Sequence, residues 1–442
     1  MISEGALVEE ERDQIEKVGK VDILVGIPSY NNEKTISHVV KAAQYGLAKY
    51  FPKFRAVIMN SDGGSTDRTR EIVRKTSIYT DLDTILVEHP VYPVQSLPVA
   101  YHGIPGKGSA FRAIFEAAKL LKVKACVVID SDLRSINPEW IEFLAGPILI
   151  KDYDYVCPLY SRHKYDGTIT NSIVYPLTRA LYGLRVRQPI GGDFGFSSKL
   201  VKSFLSKDVW GTDVACYGID IWMTTTAINE GCKICQSFLG AKIHDVKDPG
   251  KALGPMFKQV VGTLFHLMCN YEEHWKKVTQ SKPTAMYGFQ SEVSPEPVSV
   301  DLELLIDKFR RGLSENRDYW LTFLPQERVK QLEKVAKLPL NEFNLSQELW
   351  VRTIYDFASA YHQRKDKSQK TLDRLVASLI PIYFGRTASF IIETKKMPTY
   401  EAEKVIEGLC DKFEELKPYL LERWNSGVTD IYVANDSNLN KV

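Results

Sequence analysis

Two aspartates separated by one serine, Asp130-Ser131-Asp132, close the apolar run "ACVVI". The run reads as a strand, and two carboxylates at its end repel each other unless a cation joins them. Side chains alternate with period two along extended chain, which places Asp130 and Asp132 on the same side. One or both could then hold a divalent cation, Mg²⁺ or Mn²⁺, completed by water and phosphate oxygens. The plain alternative is that they cap a turn. In "IPGKGSAFRA" Lys107 stands between Gly106 and Gly108 just before a helical pattern, where backbone amides and an ammonium can face an anion. An ordinary glycine loop with a solvated lysine is the rival reading, and the glycine spacing is not that of a P-loop. In "SDGGSTDRT" Asp62 ends a strand and could accept an N–H from a nucleobase, whereas Ser65, Thr66 and Asp67 read as helix caps. Cys232 and Cys235 have CxxC spacing, but no second such pair exists, and they read as core.

These groups need elements that gather strand ends. "VDILVGIPSY" is an apolar strand ending near Pro28. Ile36, Val39, Val40, Ala43 and Leu47 then follow the spacing of an amphipathic helix. "FRAVIMNSD" and "DTILVEH" read as further strands, with a helix through Ile72 and Val73 between them. Phe111, Ile114, Phe115 and Ala118 form one helical face before "ACVVID". Such alternation implies a mostly parallel sheet covered on both faces. Ligands of such sheets sit at the carboxyl ends of the strands, where Pro28, Asp62 and Asp130 all fall. Residues 278–300 are rich in Pro, Ser and Thr and read as a linker or lid. The expected division is a helical leader over 1–20, an α/β domain over 21–277, the linker over 278–300 and a helical domain over 301–442. In that last region Trp350, Ile354, Phe357 and Tyr361 share a face, Asn344 with Gln347 resembles a capping box, and Pro381 should kink or break its helix. The tail "NDSNLNKV" reads as disordered.

A chain of 442 residues exceeds the usual reach of one core, so two domains are expected. With 44% hydrophobic and 25% charged residues it has the composition of a soluble globular protein. A net charge of +2 gives no basic field for nucleic acid. No apolar run reaches the roughly 18 residues of a membrane helix, and the acidic "VEEERDQIEK" lacks a signal's apolar core. Seven scattered cysteines, an odd number, argue for a reducing cytoplasm.

The order "PSYNNEKTI", "SDGGSTDRT", "PGKG", "IDSD" resembles the nucleotide-sugar domain of GT-A glycosyltransferases. "QPIGGDFGFS", "YGIDIW" and "AKIHDVKDPGKALGPMFKQVVGTL" look like the retaining synthases that glycosylate glycerate or 3-phosphoglycerate. These are the mannosylglycerate, glucosylglycerate and glucosyl-3-phosphoglycerate synthases. The likeness spans about residues 20–270 and extends more loosely into the helical region. It implies an α/β class of GT-A type, Rossmann-like with a mostly parallel sheet, followed by a mainly helical C-terminal domain. It implies that Pro28, Tyr30 and Asp62 hold the nucleoside and Lys107 contacts the nucleotide. Asn32 stands where the family commonly has a glutamate toward the nucleoside. Asp132 and His244 would bind the divalent metal, with Asp130 closing the motif from the ribose side. Arg162 and Thr170 would meet the acceptor carboxylate. The Ile190 backbone would face the reacting sugar, and Asp193 and Asp220 its hydroxyls or the acceptor. Without the resemblance, His244 is a lone histidine after a strand and Asp220 a helix-start carboxylate. Thr168 stands where glucosyl-3-phosphoglycerate synthases carry an arginine for the acceptor phosphate. A guanidinium fork is the usual partner of a phosphate dianion, so its absence favours unphosphorylated D-glycerate. Lys164, Arg179, Arg185 or Arg187 could replace it.

The expected chemistry is transfer of glucose or mannose from NDP-glucose or GDP-mannose to D-glycerate or 3-phosphoglycerate. The metal acts as Lewis acid on the leaving diphosphate, and the acceptor hydroxyl is held for attack. A retaining enzyme of this kind needs no protein base at the anomeric carbon, whereas an inverting one could use Asp193 or Asp220. The rival classes are an inverting transferase on a glycan and a silent nucleotide-sugar binder. A homodimer or higher homo-oligomer is expected, and the helical domain is expected to cover the acceptor side, to mediate the dimer, or both.

Overall fold

The structure, a computed structural model, describes residues 5–77, 84–88, 106–244, 254–289 and 295–426. In chain order the first elements are α1 (Glu9–Val18), β1 (Ile23–Ser29), α2 (Ile36–Tyr50), β2 (Ala56–Asp62), α3 (Thr69–Ser77) and β3 (Thr84–Glu88). Next come α4 (Lys107–Leu120), β4 (Ala125–Val128), α5 (Glu139–Lys151), β5 (Tyr155–Ser161), α6 (Tyr175–Tyr182) and β6 (Leu184–Arg185). They are followed by β7 (Phe194–Ser197), α7 (Ser198–Leu205), α8 (Ile219–Asn229), β8 (Ile234–Ala241), α9 (Gly254–Asn270) and α10 (Glu272–Trp275). The last are β9 (Lys282–Pro283), β10 (Ala285–Tyr287), α11 (Leu302–Trp320), α12 (Gln326–Ala336), α13 (Gln347–Gln363), α14 (Gln369–Thr394), α15 (Thr399–Glu415) and α16 (Lys417–Asn425).

Two compact units result. The first draws on Met1–His163, Val186–Val246 and Pro283–Pro297, and the second on Lys164–Arg185, Lys247–Lys282 and Val298–Val442. The chain thus leaves the first unit at Lys164 and again at Lys247, both before the end of the α/β domain expected at 277. The reason is local. Lys164–Arg185 carries α6, which packs on α15.

The first unit is built on an eight-stranded sheet of order β10-β8-β5-β7-β4-β1-β2-β3. Its pairings are parallel except that β7 runs antiparallel to β4 and β5. Every position of β1 and β2 is buried, as a sheet covered on both faces requires. The expected face of α2, from Ile36 through Val39, Val40, Ala43 and Leu47, is buried against that sheet. Each such aliphatic side chain contributes about 1.5–3 kcal/mol of burial. The segment 278–300, expected as linker or lid, instead supplies β10, paired with β8 at the sheet edge. Tyr287 anchors it on Phe143, ring centroids 6.4 Å apart. Residues 290–294 of that segment and the tail "NDSNLNKV" lie outside the described residues.

The second unit is helical. Trp350, Ile354, Phe357 and Tyr361 of α13 are all buried, as their spacing predicts. The cap of α13 is not the expected Asn344. Ser346 Oγ accepts the Leu349 amide at 3.2 Å, because the helix starts at Gln347. Pro381 does not break its helix: α14 runs through it for 26 residues. Contrary to the reading that no stretch is long and apolar enough to span a membrane, α14 is, yet 78% of its apolar window is buried inside the protein. It is a core helix. Gly312 of α11 sits on the Pro381 ring, and an added Cβ would stand 2.2 Å from Pro381 Cγ. Gly312→Ala is therefore expected to destabilise the unit by about 1–3 kcal/mol through overpacking, despite alanine's higher helix propensity. Urea unfolding checks this, and a variant as stable as wild type would refute it.

Candidate active site

The loops that follow β1, β2 and β4 are tied together by short polar side chains. Asn32 Oδ1 accepts the Tyr30 amide and Ser131 Oγ, both at 2.8 Å. Thr35 Oγ1 donates to the Ser131 carbonyl at 2.8 Å, and Asn32 N donates to Thr69 Oγ1 at 2.7 Å. Asn32 thus links the end of β1 to the middle of Asp130-Ser131-Asp132. Its Oδ1 is taken, and only its amide NH₂ is left to face a ligand.

Asp62, expected to receive a nucleobase N–H, is fully buried. Its Oδ1 accepts the Gly64 and Ser65 amides at 3.1 and 2.8 Å, and its Oδ2 accepts Ser29 Oγ and Ser65 Oγ at 2.9 and 2.6 Å. These bonds fill the carboxylate, so Asp62 shapes the turn rather than offering an open acceptor. Of the expected caps only Asp67 serves: its Oδ1 accepts the Thr69 amide at 3.0 Å as α3 begins, whereas Ser65 Oγ turns to Asp62 and Thr66 Oγ1 to Asn31 Oδ1. Pro28 is buried at the end of β1, with Tyr30 half-buried just beyond it.

Beyond β4 the chain turns at Ser131 and Asp132, so the two aspartates do not line one extended edge. They separate. Asp130 is joined by ammonium groups: its Oδ1 stands 3.0 Å from Lys107 Nζ and its Oδ2 2.8 Å from Lys242 Nζ. Lys107, the first residue of α4, also reaches Asp220 Oδ2 at 3.5 Å. Its neighbour's amide, Gly108 N, is occupied by the Cys216 carbonyl at 3.2 Å, so less of the glycine loop faces an anion than its sequence suggested. Lys242 donates three bonds, each 2.8 Å, to Asp130 Oδ2, Asp193 Oδ2 and the Gly191 carbonyl. Asp193 is fully buried. Its Oδ1 accepts the Asp130 amide at 2.8 Å, and its Oδ2 also accepts Tyr160 Oη. Ile190 lies in the turn just before Gly191. That turn passes so close to Asp130 that a Cβ on Gly192, whose φ is 91°, would stand 2.0 Å from Asp130 Oδ2. Only glycine fits there.

Burial opposes the ionisation of Asp130, but Lys107 and Lys242 outweigh it and hold its carboxyl below the usual range. Burial wins at Asp193 and Asp220, whose carboxyls are raised despite the nearby ammoniums. Burial also opposes both ammoniums, yet the carboxylates around them, Asp130 foremost, raise Lys107 and Lys242. Nearly every donor and acceptor in this cluster is matched. The exception is Asp220 Oδ1, buried with no hydrogen-bond partner among the described residues.

Asp132 makes neither a hydrogen bond nor an ion pair among the described residues. The turn that carries it is fastened to the end of β8: Arg134 N donates to the Ile243 carbonyl and Ile243 N to Ser135 Oγ, both at 2.9 Å. His244 follows directly, its Nε2 standing 3.3 Å from Arg162 Nη2. No group of three or more His, Cys, Asp or Glu able to hold a metal occurs among the described residues. An open carboxylate and an imidazole on fastened segments suit a divalent ion that takes its other ligands from phosphate and water, as Mg²⁺ and Mn²⁺ do.

Thr168 and Thr170 fall in the helical unit and are buried there. Thr168 Oγ1 pairs with Tyr383 Oη at 2.6 Å. Three of the expected replacement cations are engaged, Arg185 through its Nε, which donates to Ser281 Oγ at 3.0 Å. Arg179 is clamped by Glu407, Asp411 and Glu414 at 2.6–2.7 Å, and Lys164 Nζ donates to the Thr394 and Met397 carbonyls at 2.7 and 2.6 Å. The sequence reading missed Lys242 and Tyr160. Lys242 precedes His244 by two residues just past a strand, so period two was the signal that could have found it. Cys232 and Cys235 are unpaired, and burial pushes their thiols up to about 11 and 12, which leaves them without thiolate chemistry at neutral pH.

Residues 24–209 match the family described as glycosyl transferase family 2. The glucosyl-3-phosphoglycerate synthase of Mycobacterium tuberculosis is 25% identical over 286 residues, covering 60% of this chain and 79% of the relative. That of Mycolicibacterium paratuberculosis is 25% identical over 267 residues, covering 56% and 72%. The crystal structure of the M. tuberculosis enzyme with Mg²⁺ and uridine diphosphate shares 25% identity over 58% of this chain and 82% of its own, with a TM-score of 0.42.

Proposed function

From the premise that residues 24–209 form a glycosyl transferase family 2 domain, we propose that this glycosyltransferase moves a hexose from a nucleoside-diphosphate sugar to D-glycerate. The observation that carries the reading is Asp220 Oδ1, the unmatched acceptor in a cluster otherwise fully paired. A buried acceptor without a partner costs about 1–3 kcal/mol, and a sugar or acceptor hydroxyl would satisfy it. The paired Asp130, Lys107 and Lys242 hold that oxygen in place. Asp193 has both oxygens occupied and acts as a brace rather than a base.

Asp132 and His244 would hold a divalent ion, Mg²⁺ or Mn²⁺, together with the diphosphate. When bound it supplies Lewis-acid stabilisation of the leaving group. The chain's own contribution is orientation. Lys107 begins a helix, and the Asn32–Ser131 bond fixes the loops around the donor. A retaining course follows from the resemblance and from Asp193 being unavailable as base. Asp220 is the residue an inverting course would use.

A second reading takes 3-phosphoglycerate as acceptor, and the activity in the names of the two relatives favours it. Thr168 favours glycerate, because its hydroxyl is spent on Tyr383 and no guanidinium stands at its position. A matrix of UDP-glucose, GDP-glucose and GDP-mannose against D-glycerate and 3-phosphoglycerate separates the two. We expect D-glycerate to be preferred by roughly ten- to a hundredfold in kcat/KM, the worth of one charged hydrogen bond. A tenfold preference for 3-phosphoglycerate would overturn the acceptor. Asp220→Asn is expected to lower kcat/KM by a similar factor, and an unchanged value would remove Asp220 from the site. The anomeric configuration of the product, read by NMR, decides between retention and inversion.

A further inference from the structure

The turn that runs past Asp130, Gln188-Pro189-Ile190-Gly191-Gly192-Asp193, is tied down along its length. The Gln188 side chain pairs with the backbone of Tyr160. Its Oε1 accepts Tyr160 N at 3.3 Å, and its Nε2 donates to the Tyr160 carbonyl at 3.0 Å. Tyr160 Oη reaches Asp193 Oδ2 at the far end, and Lys242 holds the Gly191 carbonyl at 2.8 Å. These bonds fix the turn to β5 and to the end of β8.

Another bond fixes it to α8, the helix that carries Asp220. Thr224 Oγ1 donates to the Pro189 carbonyl at 2.7 Å and stands 3.0 Å from Tyr155 Oη. A carbonyl only accepts, so the hydroxyl proton of Thr224 goes to Pro189 and Tyr155 donates the second bond. Thr224 is fully buried and lies one helical turn after Asp220, on the same face of α8. A threonine inside a helix commonly returns its hydroxyl to the carbonyl four residues back. Thr76, Thr353 and Thr394 do so at 2.6–2.8 Å. Thr224 instead spends its proton on a turn 35 positions away.

We propose that Thr224 is a positioning residue: its hydroxyl sets the spacing between the Ile190 turn and Asp220, and so holds the hexose for transfer. The inference rests on the reading of Asp220 given above and deepens it. Gly192 of the turn touches Asp130, and Asp130 shares Lys107 with Asp220, so turn and helix meet at one ion-paired cluster. A sugar hydroxyl on Asp220 Oδ1 would sit beside that turn. Misplacing reacting groups by about 1 Å can cost on the order of a hundredfold in rate.

The test sets Thr224→Ser against Thr224→Ala, two variants that differ only by the hydroxyl, in the preferred donor–acceptor pair of the matrix above. Thr224→Ala is expected to lower kcat by about ten- to a hundredfold. The KM of the donor should stay within about twofold of wild type, because the bond acts on transfer rather than on ground-state binding. Thr224→Ser should restore kcat although it lacks the methyl group, and Thr224→Val, which keeps the volume, should match Thr224→Ala. Tyr155→Phe is the structural control. It removes the other bond of Thr224, so it should lower Tm by about 2–4 °C and leave kcat unchanged. Equal kcat in Thr224→Ser and Thr224→Ala, or an equal loss in Tyr155→Phe, would overturn the inference. That result beside an impaired Asp220→Asn leaves the functional reading standing, whereas an unimpaired Asp220→Asn removes both.

Discussion

Lys242→Met is expected to unfold the first unit more easily by about 3–5 kcal/mol and to abolish turnover. The ammonium has three donors, and the structure supplies three acceptors at 2.8 Å, one on each of Asp130, Asp193 and Gly191. Removing the cation leaves Asp130 with Lys107 alone and buried Asp193 with no ion-pair partner among the described residues, and breaking a buried pair from one side costs on the order of 3–5 kcal/mol. Lys242→Arg should not rescue it, because a planar fork cannot match three acceptors around a tetrahedral nitrogen. A chain of two units need not unfold in one step. The loss is therefore best read as faster hydrogen exchange of the β4, β5 and β8 amides. Wild-type exchange in Lys242→Met would mean that the cluster does not hold the sheet ends together.

Much of this was legible in the sequence wherever one local rule sufficed. The α2 face from Ile36 to Leu47 followed from period 3.6, and β1 and β2 from uninterrupted apolar runs bounded by Pro28 and Asp62. The readings that failed depended on contacts between distant segments. "SKPTAMYGF" has the composition of a loop, yet Tyr287 finds Phe143 and the segment becomes an edge strand. Pro381 forfeits one helical hydrogen bond, but Gly312 makes room for its ring and packing keeps α14 whole.

The carboxylates show the same limit. Asp130 and Asp62 carry the residue type of ligand-binding groups, and nothing in their own neighbourhood in the sequence pairs them with Lys242, 112 positions away, or Ser29, 33 positions away. The structure spends both on the protein itself and leaves Asp132 and one oxygen of Asp220 open. A carboxylate's identity marks the site, and its unmatched oxygens mark the work.

That distinction yields the second large effect, opposite in character to the first. Asp132→Ala should leave stability within about 0.5 kcal/mol of wild type, as for a position that makes no special contact. It should nonetheless lower kcat/KM by at least about a hundredfold, the scale on which losing one charge-stabilising group acts. His244→Ala should match it in activity, because its ring sits on the strand end fastened to the Asp132 turn. EDTA should abolish turnover in wild type and Mn²⁺ restore it. Binding provides a readout independent of turnover: titration of Mn²⁺ with UDP, followed by electron paramagnetic resonance, should show tight binding only when both are present, since two protein ligands do not make a cage. Asp132→Ala should lose that binding while its unfolding curve overlays wild type. Full turnover in EDTA, or undiminished Mn²⁺ binding in both variants, would place the metal elsewhere. A large loss of stability in Asp132→Ala would show instead that this carboxylate, like Asp130, is spent on the fold.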